Sequence, residues 1–469
     1  MRYKLKNNDQ HFVSTRGLAP SAGFADILLA GLAPDGGLYL PAAWPQVSPA
    51  AQAAFAGAPY TEVARQILSL FAGGSFTPGE IAADVRAAYA TFEDSAPLVE
   101  IGPNLYLLEL FHGPTLAFKD IALQVLGRMF ARALAKRGGR ATIVAATSGD
   151  TGSAAIAALG GPPNIDVFVL HPKGRVSEVQ RRQMTTSPHA NVHNIALEGT
   201  FDDCQAIVKQ LFAEESFARA VGLTAVNSIN FARIAAQCVY YFTATAQLGR
   251  PATFVVPTGN FGDVFAGEAA MRMGLPVDKL VVATNANDIM FRVLSTGEYA
   301  PGAVHPSLSP SMDIQVASNF ERALFEASGR DAAWLRDAME SFARDKRLML
   351  PPNVLAALRA RYAAARCDDA QTLATIKRAH AETGRLIDPH TAVALHAAYK
   401  MDRKGPVVVL STADAAKFPD AVAKATGVTP PLPERLKDLF RGTEKLTILP
   451  NDRDLVRAHI EAKLAHHVP

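Results

Sequence analysis

The spacing of apolar residues along the chain changes character near residue 104. Before that point, helical spacing predicts helices over residues 61–71 and 79–91, and the stretch 31–59 is rich in Gly, Pro and Ala, which is typical of loops. After it, short apolar runs with β-branched residues alternate with longer helical patterns. This alternation predicts an α/β fold with doubly wound, mainly parallel sheets.

Short apolar runs mark the predicted strands of the α/β region, over residues 105–110, 142–146, 166–170, 192–196, 253–257, 280–283 and 407–410. Charged, amphipathic helical spacing returns from Glu434 onward. We therefore predict a mainly helical N-terminal domain over residues 1–95, an α/β core over 96–430 made of a large and a small subdomain, and a C-terminal helical segment over 431–469 that packs on the core.

Composition narrows the classes of partner. The 469 residues are 49% apolar and 19% charged, as in a folded globular protein, and Lys plus Arg (47) exceed Asp plus Glu (44) by only three. The basic residues are dispersed, and no apolar run approaches the ~18–20 residues of a spanning helix, so we expect neither a nucleic-acid nor a membrane partner. Residues 1–10 lack the apolar stretch of a secretory signal. Cys204, Cys238 and Cys367 are too widely spaced for a disulfide framework or a zinc cluster, so we expect a cytoplasmic protein with a small-molecule substrate and no metal.

The first motif with chemical character is HGPTLAFKD (residues 112–120), which follows a predicted strand and runs into an apolar helix. It places Lys119 near a helix N-terminus and close to apolar side chains. Both surroundings disfavour the ammonium form and make the amine a better nucleophile, as Schiff-base chemistry requires. An ordinary surface lysine at the start of a helix explains this motif equally well.

Two further motifs, TSGDTG (147–152) and PTGNFGD (257–263), each lie between a predicted strand and a predicted helix. Their small residues allow backbone N–H groups to approach an anion, although each motif alone is also an ordinary polar turn. PTGNFGD matches neither a dinucleotide-binding GxGxxG nor a P-loop, so a nucleotide explains it poorly. One lysine and two anion-binding loops on a parallel sheet are what a pyridoxal phosphate (PLP) enzyme needs, with one loop for the cofactor phosphate and another for the substrate carboxylate.

Taken in order, these motifs resemble those of the threonine synthases, a family of fold type II PLP enzymes related to the tryptophan synthase β subunit. The resemblance runs nearly from end to end. The segments responsible are Tyr3 with STRG (14–17), HGPTLAFKD (112–120), TSGDTGSAA (147–155), HPKGRVS (171–177), GNFGD (259–263), SNFER (318–322), DPHTAV (388–393) and STA (411–413).

The resemblance implies roles for individual residues. Lys119 would hold PLP as a Schiff base with Phe118 beside the ring, and Thr412 would meet the pyridine nitrogen. The residues implied for the cofactor phosphate are Gly259, Asn260, Phe261 and Gly262. Those implied for the substrate carboxylate are Ser148, Gly149, Asp150, Thr151 and Gly152.

Two points stay open within the resemblance. Many relatives continue the STA segment with His-Pro, whereas this chain has Asp414-Ala415, so Asp414 is an alternative partner for the ring. The ligands of the substrate phosphate are also unassigned. Lys173, Arg16 and Arg322 qualify by residue type, but each is equally well explained as a structural ion pair or a solvated charge.

The implied activity is the conversion of O-phospho-L-homoserine and water to L-threonine and phosphate, through γ-elimination of phosphate and addition of water at Cβ. The Ser/Pro-rich stretch over residues 294–320 is either an element that closes over the site or a surface excursion. The alternatives are a PLP-dependent phospho-lyase or dehydratase that yields a 2-oxo acid, and a non-catalytic PLP-binding protein. We expect a monomer or a homodimer.

Overall fold

The structure is a computed structural model that describes residues 10–224 and 228–465, so Tyr3 and the rest of residues 1–9 lie outside it. Its strands, in chain order, are β1 (Phe12–Ser14), β2 (Tyr39–Pro41), β3 (Leu98–Gly102), β4 (Leu105–Glu109), β5 (Ala141–Ala146), β6 (Ile165–Pro172), β7 (Val192–Glu198), β8 (Leu223–Thr224), β9 (Ala252–Pro257), β10 (Val277–Thr284), β11 (Glu298–Tyr299), β12 (Leu348–Met349), β13 (Tyr362–Arg366), β14 (Val407–Ser411) and β15 (Thr447–Pro450).

The helices, in chain order, are α1 (Phe24–Ala30), α2 (Pro49–Ala53), α3 (Tyr60–Ala72), α4 (Pro78–Tyr89), α5 (Lys119–Lys136), α6 (Asp150–Leu159), α7 (Glu178–Thr185), α8 (Phe201–Ala213), α9 (Glu215–Ala220), α10 (Phe231–Leu248), α11 (Gly262–Arg272), α12 (Ile289–Thr296), α13 (Phe320–Ala327), α14 (Ala332–Asp345), α15 (Pro352–Arg361), α16 (Asp369–Thr383), α17 (Pro389–Tyr399), α18 (Pro419–Thr426) and α19 (Arg453–Ala465). Short 3-10 helices cover Pro310–Met312, Ala415–Lys417, Glu434–Leu436 and Leu439–Arg441.

Two sheets form the α/β core. The larger sheet has the order β13-β10-β9-β14-β4-β3, and every neighbouring pair is parallel except β3 with β4. The smaller sheet, β15-β7-β6-β5-β8, is parallel throughout. Its strand β6 is buried along its whole length, as expected where helices cover both faces of a sheet. The predicted α/β fold with mainly parallel sheets is confirmed.

Helix α10 joins the N-terminal helices to the core. It packs against α3 on one side and against α5 and α11 on the other, and nearly all of its residues are buried. Asn230 caps it, because the Asn230 side chain accepts the backbone N–H of Ala232 at 3.0 Å. Arg233 lies in the first turn of α10 and is buried. A charged side chain in this position needs a partner of opposite charge to offset the free energy of its desolvation.

The C-terminal segment differs from the helical segment that the sequence predicts. Beyond Glu434 the chain forms two 3-10 helices, then β15, which pairs in parallel with β7 at the edge of the smaller sheet, and only then α19. A strand as short as Thr-Ile-Leu-Pro does not stand out as an apolar run, and its Pro450 suits an edge strand. Helix α19 packs on α8 and buries Val456 and Ile460.

Within residues 10–224 and 228–465, no helix is long and apolar enough to cross a membrane. The same residues contain no cluster of His, Cys, Asp and Glu that could hold a metal ion. All three cysteines are free and buried.

Candidate active site

Parallel pairing in the larger sheet brings three turns together. Strand β14 pairs with β4 on one side and with β9 on the other, so the turns that follow these strands leave the same edge of the sheet. These turns contain Lys119, Thr412 and Gly259. Because open α/β sheets bind ligands at the carboxyl ends of their strands, this edge is the expected binding site.

Backbone hydrogen bonds fix the turn before Lys119. Phe118 N donates to Thr412 O at 2.9 Å, and Ala117 forms an isolated bridge with Ala413. Leu116 has a backbone φ of 62°, which lies in the left-handed region that residues other than glycine rarely adopt. Helix α5 then begins at Lys119, as predicted, so the lysine motif and the STA segment form one structural unit.

Lys119 shares a carboxylate with a second lysine. Lys119 Nζ lies 3.0 Å from Asp150 Oδ2, and Lys417 Nζ lies 2.7 Å from Asp150 Oδ1. Burial lowers the pKa of Lys119, and the charge of Lys417 lowers it further, against the opposing effect of Asp150. Burial alone would raise the pKa of Asp150, but the two lysines outweigh it and hold that pKa well below its usual value. An amine with a lowered pKa is what covalent catalysis by lysine requires.

The loop after β5 takes its shape from Thr147. Thr147 Oγ1 accepts the N–H groups of Gly149 and Gly152, both at 2.9 Å. Gly149 has a φ of 139°, and a Cβ at this position would come within 2.5 Å of a neighbouring side chain. Two of the amides expected for a substrate carboxylate are therefore used inside the loop. Asp150 and Thr151, at the start of α6, line the cavity described below.

The turn after β9 has the form of a phosphate site. Phe261 has a left-handed φ of 64°, and α11 starts at Gly262. The first N–H groups of a helix have no partner within it and lie at the positive end of its dipole. A Cβ on Gly259 would lie 2.6 Å from Ser311 O, so only glycine fits there. The Phe261 ring packs in the core, 5.4 Å from the ring of Phe320, which leaves the backbone of the turn for the ligand.

Two buried side chains in the same cavity have polar atoms without protein partners. Among the residues that the structure describes, Arg233 Nη1 and Asp263 Oδ2 have no hydrogen-bond partner. Burial lowers the pKa of Arg233 to about 10 and raises that of Asp263 to about 7, in the latter case against hydrogen bonds from Tyr240 and Tyr241. A buried cation without a carboxylate costs free energy unless an anion joins it. The cavity is therefore suited to a negatively charged group.

A histidine and a serine form another wall of the cavity. His390 Nδ1 lies 2.8 Å from Asp388 Oδ1, and Ser311 N donates to His390 Nε2 at 3.3 Å. Ser311 Oγ donates to Asp150 Oδ2 at 3.1 Å. Ser311 belongs to the Ser/Pro-rich stretch, so this part of the stretch lies at the site, whereas residues 302–306 are exposed.

These groups line one cavity, whose empty volume of about 730 Å³ includes space that is open to solvent. Of the residues expected to bind cofactor or substrate, the cavity brings together Phe118, Lys119, Asp150, Thr151, Gly259, Asn260, Phe261, Gly262 and Thr412. Arg233 and Ser311 also line it and are not among the residues that the sequence motifs single out. A nucleophilic amine and a glycine turn at a helix N-terminus fit PLP, which presents an aldehyde and a phosphate, and the unpaired Arg233 leaves room for a second anion.

Three cations considered for the substrate phosphate lie outside the lining of this cavity. Lys173 is exposed and lies 2.9 Å from Glu198. Arg16 forms an ion pair with Glu321 at 3.1 Å. Arg322 is completely buried and donates to Tyr39 O at 3.1 Å, to Asn319 Oδ1 and to Ile229 O, so its charge is used inside the fold.

The other residues that the sequence predicts for the site belong to the segments that surround the cavity. Ser148 and Gly149, in the loop after β5, and Gly152, in the first turn of α6, do not line the cavity. Asp414, the alternative ring partner, caps the 3-10 helix after β14, because its Oδ1 accepts the N–H of Ala416 at 2.8 Å.

Comparison with known proteins identifies the family of this chain. Family models described as threonine synthase N terminus, pyridoxal-phosphate dependent enzyme, and threonine synthase, C-terminal match residues 11–89, 92–368 and 391–460. The threonine synthase of Pseudomonas aeruginosa is 49% identical over 457 residues, which cover 96% of this chain and 97% of that one. The crystal structure of PLP-bound threonine synthase from Brucella melitensis is similar with a TM-score of 0.95 and 50% identity, covering 97% of this chain and 99% of that one. Yeast threonine synthase is similar with a TM-score of 0.93 and 36% identity, covering 98% and 99%. This chain belongs to the threonine synthase family of pyridoxal-phosphate dependent enzymes.

Proposed function

We propose that the chain converts O-phospho-L-homoserine and water to L-threonine and phosphate in this cavity. The observation that supports the proposal most is the placement of Lys119, the glycine turn over residues 259–262 and the unpaired Arg233 around one cavity. One nucleophilic amine and two anion sites suit a substrate that, like the cofactor, has a phosphate. A substrate without a phosphate would leave Arg233 unpaired.

Lys119, the glycine turn and Thr412 are the residues that would hold PLP. Lys119 Nζ would form the covalent link, and the N–H groups at the start of α11 would take the phosphate. Thr412 would offer the pyridine nitrogen a neutral hydroxyl, which does not enforce a protonated ring. When bound, PLP supplies an electron sink for the charge left at Cα of the substrate.

Two groups would orient the substrate. The N–H groups of Asp150 and Thr151 remain available for its carboxylate, since those of Gly149 and Gly152 are used by Thr147. Arg233, in the first turn of α10, would bind the phosphate monoester, for which the planar guanidinium is well suited.

Lys119 would also move protons during the reaction. Lys119 Nζ would remove the proton from Cα of the bound substrate, and its lowered pKa favours the neutral base that this step needs. Phosphate can leave Cγ only when a second proton is removed, from Cβ, and Arg233 would stabilise the departing phosphate. Cγ must then gain a proton before water adds at Cβ to give L-threonine, and Lys119 would be the group that carries these protons.

Water must reach Cβ in a controlled way after phosphate has left, because release and hydrolysis of the unsaturated product before that addition would give 2-oxobutyrate and ammonia. The stretch that includes Ser311 forms a wall of the cavity and is the element proposed to control this entry. Equal hydrogen-exchange protection of that stretch with and without a substrate analogue would contradict this role.

A cytoplasmic location and a monomeric or homodimeric state belong to the same proposal. Three buried, free cysteines suit a reducing compartment.

The test is to incubate the PLP-loaded protein with O-phospho-L-homoserine and to identify the products. We expect L-threonine and phosphate in equal amounts, and neither product from a Lys119→Ala control. Formation of 2-oxobutyrate and ammonia would instead identify a phospho-lyase. Retained PLP without turnover would identify a non-catalytic binding protein.

A further inference from the structure

Lys417 is a second buried lysine at the cofactor site, and the proposed mechanism gives it no role. Its side chain is wholly buried, with Nζ 2.7 Å from Asp150 Oδ1 and donating to Thr115 O at 2.8 Å. Lysine is almost never fully buried unless it is paired. The pairing here is to the carboxylate that also contacts Lys119.

The turn after β14 is built to hold Lys417 in this place. Asp414 caps the 3-10 helix Ala415–Lys417, and Asp414 N donates to Leu116 O at 3.1 Å. Because Leu116 lies in the lysine motif, this hydrogen bond joins the turn that holds Lys417 to the segment that leads to Lys119.

We propose that Lys417 is a positioning residue, which neutralises one oxygen of Asp150 so that this carboxylate cannot hold Lys119 entirely as an ammonium ion. The inference rests on the proposed role of Lys119 as the cofactor lysine. If Asp150 faced Lys119 alone, the buried ion pair would favour the charged amine, which does not attack an aldehyde. With Lys417 on the other oxygen, the single negative charge of Asp150 is shared between two lysines, so it favours the ammonium form of Lys119 less.

The titratable and charged groups that face Lys119 or Lys417 come from several elements: Asp120 on α5, Asp150 on α6, Arg233 on α10, Asp263 on α11 and His390 on α17. Burial has the largest effect on the pKa of Lys119. Of the two cations that lower this pKa further, Lys417 has a greater effect than Arg233. Lys417 is therefore the cation whose removal should change the protonation of Lys119 most.

The consequence concerns the step in which Lys119 takes up the cofactor. The neutral Nζ bonds to the aldehyde carbon of PLP, a carbon–nitrogen double bond forms, and the aldehyde oxygen leaves as water with the two protons of the amine. At a given pH the rate follows the fraction of Lys119 that is neutral. Removing the positive charge of Lys417 should raise the pH at which half of Lys119 is neutral, and removing the negative charge of Asp150 should lower it.

The test is the pH dependence of PLP uptake by the cofactor-free, full-length protein, followed by absorbance and checked by borohydride reduction. We expect Lys417→Met to move the midpoint to higher pH and to slow uptake at least about threefold below it, since each unit of displacement changes the neutral fraction about tenfold. At high pH the rate should return to that of the wild type. Asp150→Asn should move the midpoint in the opposite direction.

Gln183→Met is a matched control. Gln183 Nε2 also donates to Thr115 O, at 3.1 Å, but has no charge, so this variant should leave the midpoint unmoved. If Lys417→Met does not fold, Lys417→Gln removes the charge and keeps a donor group. If Lys417→Met took up PLP more slowly at every pH with an unmoved midpoint, Lys417 would have only a structural role, and the proposal would be overturned. A link formed at another lysine of the wild-type protein would instead contradict the proposed function.

Discussion

The chemistry proposed for the site depends on buried charged side chains that are not each paired with a single residue of opposite charge. Asp150 serves two lysines, and Arg233 has no carboxylate among the residues that the structure describes. Such groups cost free energy in the protein alone, and perturbed charges of this kind cluster where a ligand completes them. Arg233 is thus the residue at which an anionic substrate should be recognised.

We expect Arg233→Met to raise KM for O-phospho-L-homoserine about 10- to 100-fold, because a hydrogen bond to a charged group contributes about 1.5–3 kcal/mol. Inhibition by inorganic phosphate should weaken to a similar extent. PLP content should stay unchanged, because the turn over residues 259–262 keeps its own phosphate contacts. Steady-state kinetics and absorbance measure these quantities.

Lys173→Met is the control for this variant. It removes a cation that is exposed and paired with Glu198 at 2.9 Å, so KM should change less than about twofold. Equal effects of the two variants would contradict the assignment of Arg233. Loss of PLP from Arg233→Met would place the cofactor phosphate, and not the substrate phosphate, at this residue.

Among the site residues, the sequence predicts those that belong to a motif and that PLP chemistry requires. Lys119, Thr412 and the glycine turn are recognisable as motifs, and all of them line the cavity. The sequence does not show which cation is free, because Arg16 and Arg322 find their partners on distant segments. The available signal was a lone arginine in the 18-residue, otherwise uncharged helix α10.

At the scale of elements, the site depends on how α5 and α6 pack. Lys119 begins α5 and Asp150 begins α6, so the contact between these helices sets the distance between the two side chains. The contact is closest at Gly127, where a Cβ would lie 2.5 Å from Ala158 O. Backbone atoms cannot rotate away, so a larger residue must separate the helices.

We expect Gly127→Ala to lower the free energy of unfolding by about 1–3 kcal/mol and to reduce covalent PLP content. Gly79→Ala is the matched control, since Gly79 lies in α4 with open space around it and should be neutral or slightly stabilising. Urea unfolding and absorbance after reconstitution test both variants. Equal stability of the two variants would show that the contact between α5 and α6 is not tight.

Elements were predictable where an apolar run ends in turn residues. Six of the seven predicted strands lie within observed ones, and the seventh, over residues 105–110, extends one residue beyond β4. Eight short strands that the structure describes were not predicted, among them β3, β13 and β15 of the two main sheets. Strand β13 directly follows α15 and is rich in alanine, so no break or β-branched run marks it. Strand β15 is short and joins β7 far away in the sequence, a pairing that local patterns do not show.

At the scale of the whole molecule, the cavity receives turns from both sheets. The larger sheet contributes the turns after β4, β9 and β14, and the smaller sheet contributes the start of α6, which follows β5. A ligand bound there contacts both, so cofactor and stability should be linked. The division into three units remains a prediction.

In the cofactor-free protein we expect Asp263 to make stability depend on pH. A carboxyl group in the unfolded chain releases its proton near pH 4 (about 3.9), but burial raises the pKa of Asp263 to about 7 in the folded protein. Between these values the folded state binds more protons than the unfolded state, so the free energy of unfolding should fall as pH rises from about 4 toward 7.

Urea unfolding across this pH range tests the effect, with Asp263→Asn as the comparison. The slope should be smaller in the variant. It should not vanish, because burial also raises the pKa of Asp120 to about 6. Identical slopes in both proteins would contradict the buried, protonated state of Asp263.

The central claim is that Lys119, and no other lysine, forms the covalent link to PLP. Borohydride reduction of the loaded protein, followed by digestion and mass spectrometry, identifies the residue that has the pyridoxyl group. We expect a single modified site at Lys119 and no modification in Lys119→Ala. A pyridoxyl group on Lys417, which contacts the same carboxylate, or on any other lysine of the wild-type protein would contradict the claim.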